Sequence, residues 1–205
     1  MTHRLKIVFA STAIAVASSL PLAAETNAGS QITLETLVDH AEMIRVADTI
    51  DAAVDAKNWS LARSLFTDNI HVDFTSLVGG EPATIPADGL IAGWSANLTE
   101  EKASFHLRGN HRITFETDGT ATMVSHGYAW NQMARGALPE NGGDALWEVW
   151  GTYEHSFIQT EDGWRVDGMS FFATAERGND FVRNTPGSCV LRNHYTRQII
   201  QGAIR

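Results

Sequence analysis

The chain has 205 residues, 43% of them hydrophobic, and 24 Asp and Glu against 15 Lys and Arg give a formal charge of −9. That acidity repels phosphate backbones and excludes nucleic acid as a partner class, while the length suits one globular core. The single Cys189 excludes an internal disulfide and a cysteine-rich zinc site.

Arg4 and Lys6 precede an uncharged run from Ile7 to Leu22, and small residues then offer cleavage after Ala24 or Ala28. This order is that of a secretory signal peptide over residues 1–28, which implies a periplasmic or secreted protein. Ser11, Thr12, Ser18, Ser19 and Pro21 make the run too polar for a membrane span. A domain over 29–176 and a basic C-terminal extension over 177–205, with Arg177, Arg183, Arg192, Arg197 and Arg205, complete the chain. The extension can fold back on the acidic body or reach a neighbouring subunit.

Leu34, Leu37, Val38, Ala41, Ile44, Ala47, Ile50 and Val54 recur at helical spacing, so Thr33 to Lys57 reads as one helix capped by Thr33. A short helix is expected over Trp59 to Phe66, a brief strand over Ile70 to Phe74, and a third helix opened by Pro86 and running through Trp94. From Ala103 the period becomes two, giving strands Ala103 to Glu116, Thr120 to Met133, Ala145 to Gln159 and Trp164 to Ala175. TDG at 117–119 and EDG at 161–163 close hairpins, while Gly136 to Asp144 is a longer loop. Helices first and a meander afterwards predict an α+β domain with the helices on one face of the sheet.

Each strand has two faces. Ala121, Met123, Ser125, Gly127, Ala129 and Asn131 form a small face that leaves room for a cavity under the helices. Tyr128 and Trp130, grouped with Trp147, Tyr153 and Phe157, form an aromatic back whose cover is expected to be another subunit, in a homodimer or homotrimer. Glu154, four residues from Trp150, is placed on the small side, where burial would raise its pKa and suit it to protonate a leaving hydroxyl. Glu148 is a weaker duplicate, and a surface or interface salt bridge is the competing reading for both.

An Asp that ends a long helix and a His inside an apolar strand can form a general-base dyad if the fold joins them. Asp55 and His106 are such residues. Periodicity alone sets Asp55 on an exposed helix flank, and a lone strand His is commonly structural. Asp48 and Asp51 read as a solvated face, and Asp73 as a cap or structural partner. His111, five residues after His106, points to the opposite face on a regular strand, and His126 and His155 fall on the aromatic back. These histidines do not supply three ligands on one face, so neither metal nor other cofactor is expected.

Three segments, VDAKNWSLARSLFTDNIHVDF, SFHLRGNHRI and EDGWRVDGMSFF, resemble in order and spacing the SnoaL-like family of the nuclear transport factor 2-like superfamily, from about Leu34 to Glu176. The resemblance implies a cone-shaped α+β fold with a pocket between helices and a curved, mostly antiparallel sheet. Within it the segments are most similar to scytalone dehydratase, bile acid 7-alpha-dehydratase and hexachlorocyclohexane dehydrochlorinase, where a helix-end Asp supports a strand His. Those roles map onto Asp55 and His106, with Glu154 as an assisting acid. Val54 and Phe74 fall where scytalone dehydratase has assisting tyrosines, and with Trp94, Trp150 and Asn131 they are the expected substrate contacts. The expectation is an exported, cofactor-independent lyase or isomerase, dehydratase-like, acting on a small apolar cyclic molecule. The alternative is a binding module for a hydrophobic small molecule without turnover.

Overall fold

The computed structural model describes residues 32–140 and 142–185. The expected signal peptide, Cys189 and most of the basic extension lie outside the described residues. Among the described residues no helix is long and apolar enough to cross a membrane.

The elements in order are α1 (Leu37–Asp55), α2 (Trp59–Ser64), β1 (Phe66–Asp73), α3 (Thr75–Val78), β2 (Ala83–Pro86), α4 (Ala87–Asn97), β3 (Ala103–Phe115), β4 (Ala121–Gln132), β5 (Leu146–Thr160), β6 (Gly163–Gly178) and α5 (Asp180–Asn184). The strands form one mixed sheet in the order β2-β1-β6-β5-β4-β3. β1 runs parallel to β6, and the other pairs are antiparallel. The result is the expected α+β arrangement, with α1 laid across β3 and β6.

α1 begins later than its apolar pattern suggests. The hydroxyl of Thr33 accepts from the Thr36 N–H and that of Thr36 from the Thr33 N–H, so these residues close a turn ahead of the helix. Leu34, Leu37 and Val38 are exposed, and the buried stripe is Met43, Val46, Ala47, Ile50, Ala53 and Val54. β1 starts at Phe66 rather than Ile70, and β2 is a further short strand whose four residues, ATIP, carry too little pattern to be read.

The β4–β5 register decides the faces. Ala121 pairs with Phe157, Met123 with His155, Ser125 with Tyr153, Ala129 with Val149 and Asn131 with Trp147. Directly paired residues share a face, so the small column of β4 and the aromatic column of β5 both point inward, toward the helices. The two columns fit because one is small: a Cβ on Gly127 would collide with the Tyr153 ring. The expected grouping is therefore corrected. Trp147, Tyr153, His155 and Phe157 are core residues, whereas Tyr128, Trp130, Trp150 and Glu154 lie on the outer face. Period two holds along β4 and along β5; the relative phase of the two strands is set across the 133–145 loop, where sequence carries no signal.

Candidate active site

α1 ends with Asp48, Asp51 and Asp55 on one side, and β3 opposes them with His111, Arg108 and His106. Three acid–base pairs result, arranged like rungs between helix and strand. Asp55 Oδ1 lies 2.7 Å from His106 Nδ1. Its Oδ2 accepts the His106 backbone N–H at 2.7 Å, a donor left without a strand partner because β3 is the edge of the sheet. Ser104, two residues before His106 and so on the same face, donates to Asp55 Oδ1 at 2.9 Å. Lys57 Nζ in turn donates to Ser104 Oγ at 2.7 Å.

Burial pushes the Asp55 carboxyl up, but the hydrogen bond and charge of the His106 ring, its backbone N–H and the Ser104 hydroxyl together hold it below the usual carboxylate value. An ionised Asp55 can only accept, so the facing Nδ1 of His106 carries the hydrogen and Nε2 is left as the basic nitrogen. Nε2 makes no hydrogen bond among the described residues. The His106 side chain is 18% exposed, enough for a small molecule to touch it.

The middle rung is buried. Asp51 receives Arg108 Nε at 2.7 Å and Nη2 at 2.6 Å, a bidentate pair. The guanidinium also contacts the His155 ring and stands 4.0 Å over the Tyr153 ring. Burial lowers Arg108, and the charge and hydrogen bonds of Asp51 more than restore it. Burial, with the Arg108 charge beside it, drives His155 well below its usual value, so its ring is neutral. Asp51 is thus a core residue at 6% exposure, a correction to its reading as a solvated face.

The outer rung joins His111 Nε2 to Asp48 Oδ1 at 3.4 Å. His111 was expected on the face opposite His106. A bulge between Gly109 and Arg112, with Asn110 at φ 57°, inserts a residue, reverses the parity and turns His111 toward α1. Among the described residues no group of three or more metal-ligating side chains converges.

The other expected site residues divide. Val54 is buried on α1; Phe74 and Trp94 are partly buried against the core, with Trp94 edge-on to Phe66 at 5.9 Å. Asn131 points inward beside Ser104 in the strand register, and its Oδ1 is buried without a partner among the described residues. Glu154 and Trp150 are exposed on the outer face, across the sheet from His106, and cannot join it. Glu148, also on that face, takes the Tyr128 hydroxyl at 2.7 Å and Arg177 at 2.5 Å. Asp73 has a structural role, accepting the Thr75 N–H and hydroxyl ahead of α3. A hollow of about 560 Å³ opens at the end of the sheet between Glu101, Met133, Arg135 and Leu146, apart from the expected site residues.

Residues 35–170 match the family profile of the SnoaL-like domain. Among solved structures, a protein from Kribbella flavida superposes with a TM-score of 0.67 at 26% identity, covering 72% of this chain and 99% of its own. A protein assigned as a scytalone dehydratase from Novosphingobium aromaticivorans gives 0.58 at 16% identity, covering 78% and 97%. A type-3 hexachlorocyclohexane dehydrochlorinase from Novosphingobium barchaimii gives 0.55 at 12%, covering 71% and 92%. At such identities the last two share the fold alone. No curated protein matches the sequence at a significant level.

Proposed function

Because the chain belongs to the SnoaL-like domain family, we propose that it is a cofactor-independent lyase or isomerase, dehydratase-like, in which His106 oriented by Asp55 is the general base. The observation that carries this reading is the 2.7 Å contact between the Asp55 carboxylate and His106 Nδ1, which leaves Nε2 to take a proton from a carbon next to a carbonyl. Asp55 steadies the imidazolium that forms. In a dehydration the imidazolium then returns its proton to the departing hydroxyl, releasing water and restoring the base. One group serves both steps, which suits a site whose expected second acid, Glu154, faces the other way. Asn131 offers an amide to orient the substrate's polar group, and Phe74 and Trp94 offer apolar walls to a small cyclic substrate.

The signal-like first 28 residues support a periplasmic or secreted location. The outer face carries Phe105, Leu107, Trp150 and Phe172 at 41%, 56%, 36% and 45% exposure. A patch of that kind fits a second copy of the chain in a homodimer or homotrimer.

A second reading, binding without turnover, is favoured by one observation: Val54 and Phe74 supply no phenol beside the dyad. Hydroxylated and halogenated cyclic compounds, screened for product and for thermal stabilisation with wild type and His106→Ala, separate the two. Product from wild type alone supports the enzyme. Equal stabilisation of both proteins by a compound that is never converted rejects it for the binder.

A further inference from the structure

Lys57 follows α1 in a conformation that normally belongs to glycine. Its φ is 56°, and the reversed backbone is closed by Lys57 N–H to Val54 O at 3.1 Å and Asn58 N–H to Ala53 O at 2.8 Å. This is the Schellman ending, whose left-handed residue is commonly Gly because a Cβ is disfavoured there. A lysine at this place costs backbone energy that its own turn does not return. Its side chain, however, is not spread into solvent: Nζ reaches Ser104 Oγ at 2.7 Å.

The direction of the chain of hydrogen bonds is fixed by chemistry. An ammonium has only donors, so Ser104 must accept from Lys57 and spend its one hydrogen on Asp55 Oδ1, 2.9 Å away. Asp55 then receives three donors, from Ser104, the His106 ring and the His106 backbone. A carboxylate so surrounded is ionised and cannot rotate.

We propose that Lys57, acting through Ser104, is a positioning residue for the Asp55–His106 pair: it polarises the serine hydroxyl, keeps Asp55 ionised and so holds His106 in the tautomer with Nε2 unprotonated. The inference deepens the general-base reading and rests on it for its catalytic meaning. The charged groups about Lys57 are Asp55 and Glu100, which favour its ammonium, and Lys102, which opposes it. Burial lowers Lys57 from its usual value, and the two carboxylates offset this in part.

The test uses NMR on the full chain, without substrate, following the Asp55 side-chain carboxyl through acid titration and the His106 ring nitrogens at neutral pH. Lys57→Gly is the informative variant, because it relieves the backbone while removing the cation. In Lys57→Gly and in Ser104→Ala the Asp55 midpoint is expected to rise by about half a pH unit, and the share of His106 rings protonated at Nδ1 to fall. Lys57→Arg should restore most of both. The Lys57→Gly, Ser104→Ala double variant should shift Asp55 by less than the sum of the two single shifts, since part of the cation's effect passes through the hydroxyl; fully additive shifts would mean that the cation acts by its charge alone and would overturn the route through Ser104. Unchanged Asp55 and His106 signals in Lys57→Gly and Ser104→Ala, with amide spectra showing an intact fold, would overturn the proposal. Because no turnover is needed, shifted signals in a protein that converts no compound would keep the positioning role while rejecting the enzyme reading.

Discussion

Asp51→Ala tests the middle rung, on which the spacing of α1 and β3 depends. The Arg108 side chain is 1% exposed and that of Asp51 8%, so neither charge is solvated. Removing the carboxylate leaves a guanidinium in the core with the neutral His155 ring as its main polar neighbour. Breaking a buried pair by deleting one partner costs roughly 3 to 5 kcal/mol, because the survivor stays desolvated. A domain of this size loses about 2 to 4 °C of melting temperature per kcal/mol. The expected fall is therefore about 6 to 20 °C, read by circular dichroism on heating at neutral pH. Asp51→Ala with Arg108→Met removes both charges and should recover most of the loss, as the double-variant cycle requires. A fall below about 2 °C for Asp51→Ala would mean that water reaches Arg108 and would refute the buried rung. So would a double variant no more stable than Asp51→Ala.

Asp55 is held below its ordinary value, so its stabilising contribution is present above the unfolded carboxylate pKa, about 3.9, and lost as pH falls through the lower folded one. The stability deficit of Asp55→Asn measured by urea unfolding should then shrink between pH 6 and pH 3; a constant deficit would show that Asp55 has no favoured ionised form. Gly127→Ala should destabilise by roughly 1 to 3 kcal/mol, since the new methyl meets the Tyr153 ring, and an unchanged melting curve would contradict the inward placement of Tyr153. Sizing with light scattering should find a dimer or trimer at micromolar concentration that Trp150→Glu dissociates. A wild-type monomer would leave the outer aromatic patch without its proposed partner.

How far the sequence could be read follows from what fixes each feature. The four long strands are legible because alternation is local, and Asp55 and His106 because a helix end and a strand interior are each marked in the chain. Two of the three rungs were also within reach: Asp51 and Asp55 stand one helical turn apart, His106 and Arg108 one strand repeat apart, so two matched pairs face each other. Asp51 nevertheless reads as solvent-facing, because charge suggests water until a partner is known. His111 could not be placed, since one bulged residue at Asn110 reverses a parity that the letters leave intact. The faces of β5 failed for a related reason: its phase against β4 is a register between distant segments. Lys57 gave no sign at all, for nothing in its immediate sequence indicates a left-handed turn built on lysine.

Whether His106 removes a proton from carbon, as proposed, is read from solvent deuterium exchange. Cyclic ketones that bind, as judged by thermal stabilisation, are incubated in D₂O with wild type and with His106→Ala, and loss of the α-hydrogen signal is followed by proton NMR. Exchange above the buffer rate is expected with wild type and is expected to vanish in His106→Ala while binding persists. Exchange at the buffer rate with wild type for every ketone that binds, or equal exchange by His106→Ala, would contradict the proposal.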